Sequence, residues 1–341
     1  MIGSMRRARS RVAIPLGLGL VCLAATAGAL GLGLAGRAGP YPALGGCPVF
    51  PDPPASLPAR AASVPSLAAW NQDISRAPVA RNSRSVIAYI NSHGGDHIHP
   101  DFGSPRAYGF PYAVVGKGQP RLPIHYTAYG AESDRGPFPV PRRAPVEGGQ
   151  RSDGDRHVLV VDRSSCRLYE LGRAFFRGGG HAHWNADAGA TWSLRSARRR
   201  TDGFTSADAA GLPIFPGLVR YDEVSRGHLD HAVRITFDST RDAWVHPASH
   251  CAGDTASAAA PAMGTRLRLM AGYGLGHFSG SALVIARALK RYGVITADNG
   301  SNWFISGTSD RRWDDQNLDQ LKRIPGSAFE VVRSAARPHV C

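Results

Sequence analysis

Two stretches of the 341-residue chain carry residue types suited to moving protons. In RHVLVVDRSSCRLYEL, residues 156–171, alternation places Val158, Val160 and Asp162 on one strand face and His157, Leu159 and Val161 on the other. On the return strand Glu170 shares a face with Leu168, so its carboxylate sits beside an apolar neighbour. Desolvation raises a carboxyl pKa and suits it to general-acid work; the competing expectation is an arginine-paired carboxylate facing solvent. HLDHAVRITF, residues 228–237, alternates as cleanly. Leu229, His231, Val233, Ile235 and Phe237 form its apolar face, opposite Asp230, Arg234 and Thr236. His231 is then either a satisfied core imidazole or a buried base at the edge of a cleft. Asp230 points the other way and cannot orient it.

Other stretches suggest ions or sugars. In NSHGGDHIHPDFGS, residues 91–104, an extended backbone puts His97 and His99 on one face with Asp101 just beyond Pro100. Two imidazoles and a carboxylate suit a divalent metal. The other reading is a polar turn in which Asp101 or Ser104 bonds local amides, and no cofactor is used. HAHW, residues 181–184, is a second tract of the same kind. His246 and His250 have helical metal-ligand spacing, but Pro247 biases His246 away from helical geometry. The glutamate of HExxH is missing, which argues against a zinc protease. Asp202, Asp208, Asp222 and Glu223 surround an apolar Pro/Gly run, and Trp184, Trp192, Trp244 and Trp303 offer flat faces. Aromatic faces with nearby carboxylates grip sugars; the same tryptophans also fill cores. No GxSxG, Walker loop or CxxC is present.

The elements that must hold these residues are mostly strands. Apolar runs between turns begin near Tyr108 and include YGFPYAVVG, LPIHYTAYG, RHVLVVDR, CRLYELGRAFF and GTRLRLM. SRSVIAYINS reads as a short helix. SGSALVIARALKRYG reads as a longer one, with Lys290 and Arg291 at its carboxyl end and Gly293 to stop it. Asn299-Gly300 between two strand-like runs predicts a hairpin. The tail RRWDDQNLDQLKRI predicts a short helix and SAFEVVRS a last strand. Strands without regular helix alternation argue against a Rossmann sheet or TIM barrel. The fold class is mainly β (α+β): an antiparallel β-sandwich or closed β-barrel with one or two decorating helices.

The chain's start gives an address. Arg6, Arg7, Arg9 and Arg11 precede the uncharged run Val12 to Ala35, the pattern of a signal peptide or N-terminal membrane anchor. Residues 36–69 are a Pro/Gly/Ala-rich linker, and 70–341 are expected to form a single β-rich domain. Cys47, Cys166, Cys251 and Cys341 suit disulfides in an oxidising compartment, with three connectivities open. Net charge is +14, yet Lys117, Lys290 and Lys322 are the only lysines. An arginine, alanine, glycine and proline excess reflects codon composition, so the charge does not imply nucleic acid.

DRSSCRLYEL, ADAAGLPIFPGLVRYDEV, LDHAVRITF and RYGVITADNGSNWF together resemble a group of exported bacterial proteins to which no activity is attached. MGTRLRLM followed by YGVITADNGS is also similar to the LGT…ADTGG pattern of double-psi barrel domains acting on peptidoglycan, where the aspartate is catalytic. That resemblance implies a role for Asp298. The combined expectation is an exported carbohydrate-active enzyme, a glycoside hydrolase or polysaccharide lyase, acting on envelope or environmental polysaccharide. Glu170, Asp230, His231 and Asp298 are its candidate catalytic residues. Trp184, Trp244, Asp208 and Arg234 are candidate substrate contacts. The alternative is a non-catalytic envelope glycan-binding or structural module.

Overall fold

The computed structural model describes residues 41, 43–49, 67–103, 108–196, 198–334 and 336–341. The apolar run Val12 to Ala35, most of the linker, and Ser104 lie outside them. Among the described residues no helix is long and apolar enough to cross a membrane.

Two larger sheets carry the fold. The first has four strands in the order β1-β2-β3-β4: Tyr112–Val115, Val158–Asp162, Arg167–Gly172 and Ala188–Ser193. The first pair is parallel and the others antiparallel. Because side chains alternate across a strand, β2 and β3 feed two cores. Leu159, Val161 and Leu168 enter the larger one, whereas Val158, Val160, Tyr169 and Leu171 enter a smaller one. A three-stranded sheet of Ile124–Tyr126, His183–Ala186 and Phe175–Arg177 borders that smaller core.

The second sheet holds β5 (Val233–Phe237), β6 (Arg266–Leu269), β7 (Val294–Asn299), β8 (Phe304–Ile305) and β9 (Phe329–Val331), in the order β8-β5-β7-β6-β9. Strands β5 and β7 run parallel. The hairpin expected at Asn299-Gly300 does not form, because β5 lies between β7 and β8 and pairs with both. Residues 300–303 instead cross the end of β5. There Gly300 N donates to Phe237 O, Thr236 Oγ1 to Ser301 O, and Asp238 N to Asn302 Oδ1. These bonds to β5 replace those a hairpin would have made.

Helix α1 (Ser83–Ser92) buries Val86, Ile87 and Ile90, three or four residues apart on one face. Helix α2 (Gly280–Arg291) buries Ile285, Ala286 and Leu289 and ends two residues before Gly293, whose φ of +70° is a conformation open to glycine. A residue with a Cβ there would also press on Leu267 O. The body is thus mostly β with short helices and mixed sheets, sandwich-like rather than a closed barrel. Cys47–Cys166 and Cys251–Cys341 are the disulfides.

Residues 205–208 and 210–220 are buried loop, so their backbone groups need internal partners. Asp208 Oδ1 and Ala297 O both accept from Ala210 N, and Ser206 Oγ donates to Leu212 O. Gly211 turns the chain at φ +70°, where a Cβ would strike Ser249 Oγ and Phe204 O. Glu170 closes this set by accepting from Ile214 N and Phe215 N.

Candidate functional site

Pairing between β5 and β7 slips by one residue between Thr296 and Asp298. Before the slip Thr296 pairs with Ile235, a core-facing residue; after it Asp298 pairs with Thr236. Continued in regular register, Asp298 would have met Phe237 and turned toward the core. The extra residue, Ala297, moves Asp298 to the face that carries Arg234 and Thr236. Ala210 N holds the bulge by donating to Ala297 O at 3.1 Å.

Arg234 organises that face. Its Nε donates to Asp208 Oδ2 at 2.6 Å, its Nη2 to Asp298 Oδ2 at 2.9 Å and its Nη1 to Ser306 Oγ at 3.1 Å. Burial opposes the guanidinium charge, but the two carboxylates outweigh it and raise the arginine's pKa. Asp208 is sealed, whereas 23% of the Asp298 side chain is exposed. Burial lifts Asp298 to about 6; Arg234 pulls it down while the charge of Asp208 pushes it up. Two carboxylates sharing one guanidinium leave a surplus negative charge, and Asp298 is the member open to outside protons.

A second pair stands beside this one. His157 Nδ1 lies 2.5 Å from Glu147 Oε2, and its Nε2 lies 2.9 Å from Ala207 O. Both partners accept, so the ring carries both protons. Burial opposes the imidazolium, but Glu147 more than compensates and raises it to about 9. Glu147 is held below the usual carboxylate range because His157 overcomes the effect of burial.

Arg234, Asp298, Glu147 and His157 line a cleft of about 180 Å³ together with Asp101, Tyr108, Asp155 and Phe304. Asp101 comes from the histidine-rich loop. Its Oδ1 takes Lys322 Nζ at 2.7 Å and its Oδ2 faces His99 Nδ1 at 3.3 Å. His99 stacks on Phe304 at 4.4 Å, so the loop helps build the cleft wall. Tyr108 is 59% exposed and stands edge-on to Phe304. Asp155 is exposed, with no side-chain hydrogen bond or ion pair among the described residues. The cleft therefore combines a protonatable carboxyl, a second unengaged carboxyl, fixed positive charge and two aromatic surfaces.

The remaining candidates lie elsewhere. Glu170 is fully buried, and Ile214 N, Phe215 N and Trp192 Nε1 all donate to it. Burial raises it to about 7, as alternation suggested, but no substrate reaches it. Strand β5 begins only at Val233, so the alternating pattern does not extend back to His231. That residue lines a separate cavity of about 440 Å³ with Asp230 and Glu223. Its Nε2 faces Glu223 Oε2 at 3.2 Å and its Nδ1 faces Ala232 O at 2.7 Å, so both nitrogens are engaged by neighbouring acceptors. Burial opposes ionisation of Glu223, but Arg220 and His231 hold it down at about 2. Asp230 is exposed and pairs with His228.

Trp184 is buried in the smaller core, and Trp244 is buried with His339 stacked on it at 4.0 Å, so neither offers a face to sugar. Asp208 reaches the site only through Arg234. His97 pairs with Asp96 rather than joining His99 and Asp101 as a ligand set. Among the described residues the one compact trio of donor side chains is Asp242, Cys251 and Cys341, and its cysteines form a disulfide.

Glu147, Asp155, His157, Tyr108 and Phe304 were missed by the sequence reading. His157 had a signal, since alternation put it on the Leu159 face. Glu147 and Asp155 lie in glycine-containing loops with no periodicity to mark them. No family model, curated protein or solved structure matches the chain.

Proposed function

We propose that this protein is an exported carbohydrate-active hydrolase whose proton donor is Asp298. The observation that carries the reading is the bulge, which turns a carboxyl with a pKa near 6 out of the core into a cleft walled by Tyr108 and Phe304. In the reaction, Asp298 gives its proton to the leaving glycosidic oxygen as the bond to the anomeric carbon breaks. Asp155 supplies the second carboxyl, taking a proton from water that attacks that carbon, or attacking it directly. Arg234 and the imidazolium of His157 stabilise the Asp298 carboxylate left behind.

Hydrolysis is favoured over elimination by one detail. A lyase needs a cation free to meet a uronate carboxylate, and Arg234 already faces two aspartates. Export is supported by the basic-then-apolar start of the chain and by the two disulfides, which persist in oxidising compartments. The expected substrate is an envelope or environmental polysaccharide.

The test is release of new reducing ends across a panel of polysaccharides. Turnover should fall as pH rises through about 6, since the donor must be protonated. Asp298→Asn should lower it by about 100-fold or more while glycan binding persists. Absence of new ends from every polysaccharide, with binding intact, would leave only a glycan-binding module.

A further inference from the structure

A cavity of about 360 Å³, distinct from the cleft, is positive without exception among its charged lining. Arg81, Arg241, Arg266, Arg333 and Arg337 line it, and no aspartate or glutamate does. None of the five makes an ion pair among the described residues. Arg266 is the informative member, because it is 95% buried. Its guanidinium donates only to neutral acceptors, Gln72 Oε1, Gln72 O and Tyr292 O, and its Nε has no partner. Burial alone pushes its pKa down to about 9, as expected for a cation enclosed without a counter-charge. The Nε of Arg241 is likewise buried without a partner.

A helix end adds to the same potential. Asn82, which precedes α1, lines the cavity and makes no side-chain capping bond. The first turn of α1 carries no acidic residue. The dipole of α1 places partial positive charge at this end.

We infer that this cavity binds a phosphate monoester carried on a sugar-sized molecule. A phosphate monoester brings nearly two negative charges and three acceptor oxygens, and guanidinium forks engage such oxygens in pairs. A carboxylate or sulfate ester brings one charge and leaves more of the lining uncompensated. The volume admits a body larger than an inorganic ion. The inference stands apart from the hydrolase reading, since the two sites share no lining residue.

Calorimetric titration of the full chain with glucose 6-phosphate, glucose 6-sulfate, glucuronate and glucose tests it. Glucose 6-phosphate should bind about tenfold more tightly than either singly charged sugar, with glucose silent. Arg81→Ala and Arg241→Ala should each weaken it by about fivefold or more, with the circular dichroism spectrum unchanged. Glucose 6-phosphate should also raise the melting temperature of the wild type, because it binds the folded state and not the unfolded chain. Equal affinity for the sulfate or carboxylate sugar would overturn the phosphate assignment. Affinity unchanged in both variants, with each folded, would overturn the site.

Discussion

His157 shows how one side chain's surroundings set its protonation. A carboxylate on one ring nitrogen and a carbonyl on the other fix two donated bonds and hence a positive ring. The folded-state pKa of about 9 exceeds the ordinary 6.5, so the native state binds the extra proton more tightly. Its stabilising contribution is complete below about 6.5 and is lost as pH rises through about 9. The wild-type melting temperature should therefore fall across that window. His157→Gln, which cannot ionise, should melt lower at pH 6 and show a flatter profile. Parallel profiles for the two proteins would show that the ring is not charged in the fold. Asp298 follows the same logic in reverse: burial makes ionisation costly, and partial exposure makes the proton available.

Among the elements, the buried loop and the bulged strand do most to place the site. Glu170 belongs to the loop rather than to catalysis, because three N–H groups converge on it at the start of the short 3-10 helix Phe215–Gly217. Glu170→Gln would point an amide NH2 at these donors. It should cost about 1–3 kcal/mol in denaturant unfolding at pH 5 while leaving the cleft's pH profile in place. An unchanged midpoint would contradict the capping role. Legibility followed periodicity. Val233, Ile235 and Phe237 against Arg234 and Thr236 could be read directly, as could the helix stopped by Gly293. Sequence pattern stops marking structure where regularity ends. His231 lay beyond the strand's true start, β5 slid between the two runs flanking Asn299-Gly300, and nothing in ITADNG marks Ala297 as an extra residue. Glu170 was correctly expected to be desolvated, but three distant donors seal it, and they come from a loop with no period.

At the scale of the molecule, the cleft draws on residues as far apart as Asp101, Glu147, Asp155, Arg234 and Asp298, so only tertiary structure unites them. The face of β5, the histidine-rich loop and the segment leading into β2 meet there. The disulfides close spans of 119 and 90 residues, limiting the freedom of the unfolded chain. Every catalytic element of this scheme depends on Asp298 holding a proton near pH 6 while open to the cleft. Carboxyl-carbon NMR, with the resonance assigned by its loss in Asp298→Asn, measures that directly. A titration midpoint near 6 is the expected result. A midpoint at the ordinary aspartate value of about 3.8 would contradict it and remove the proton donor from the site.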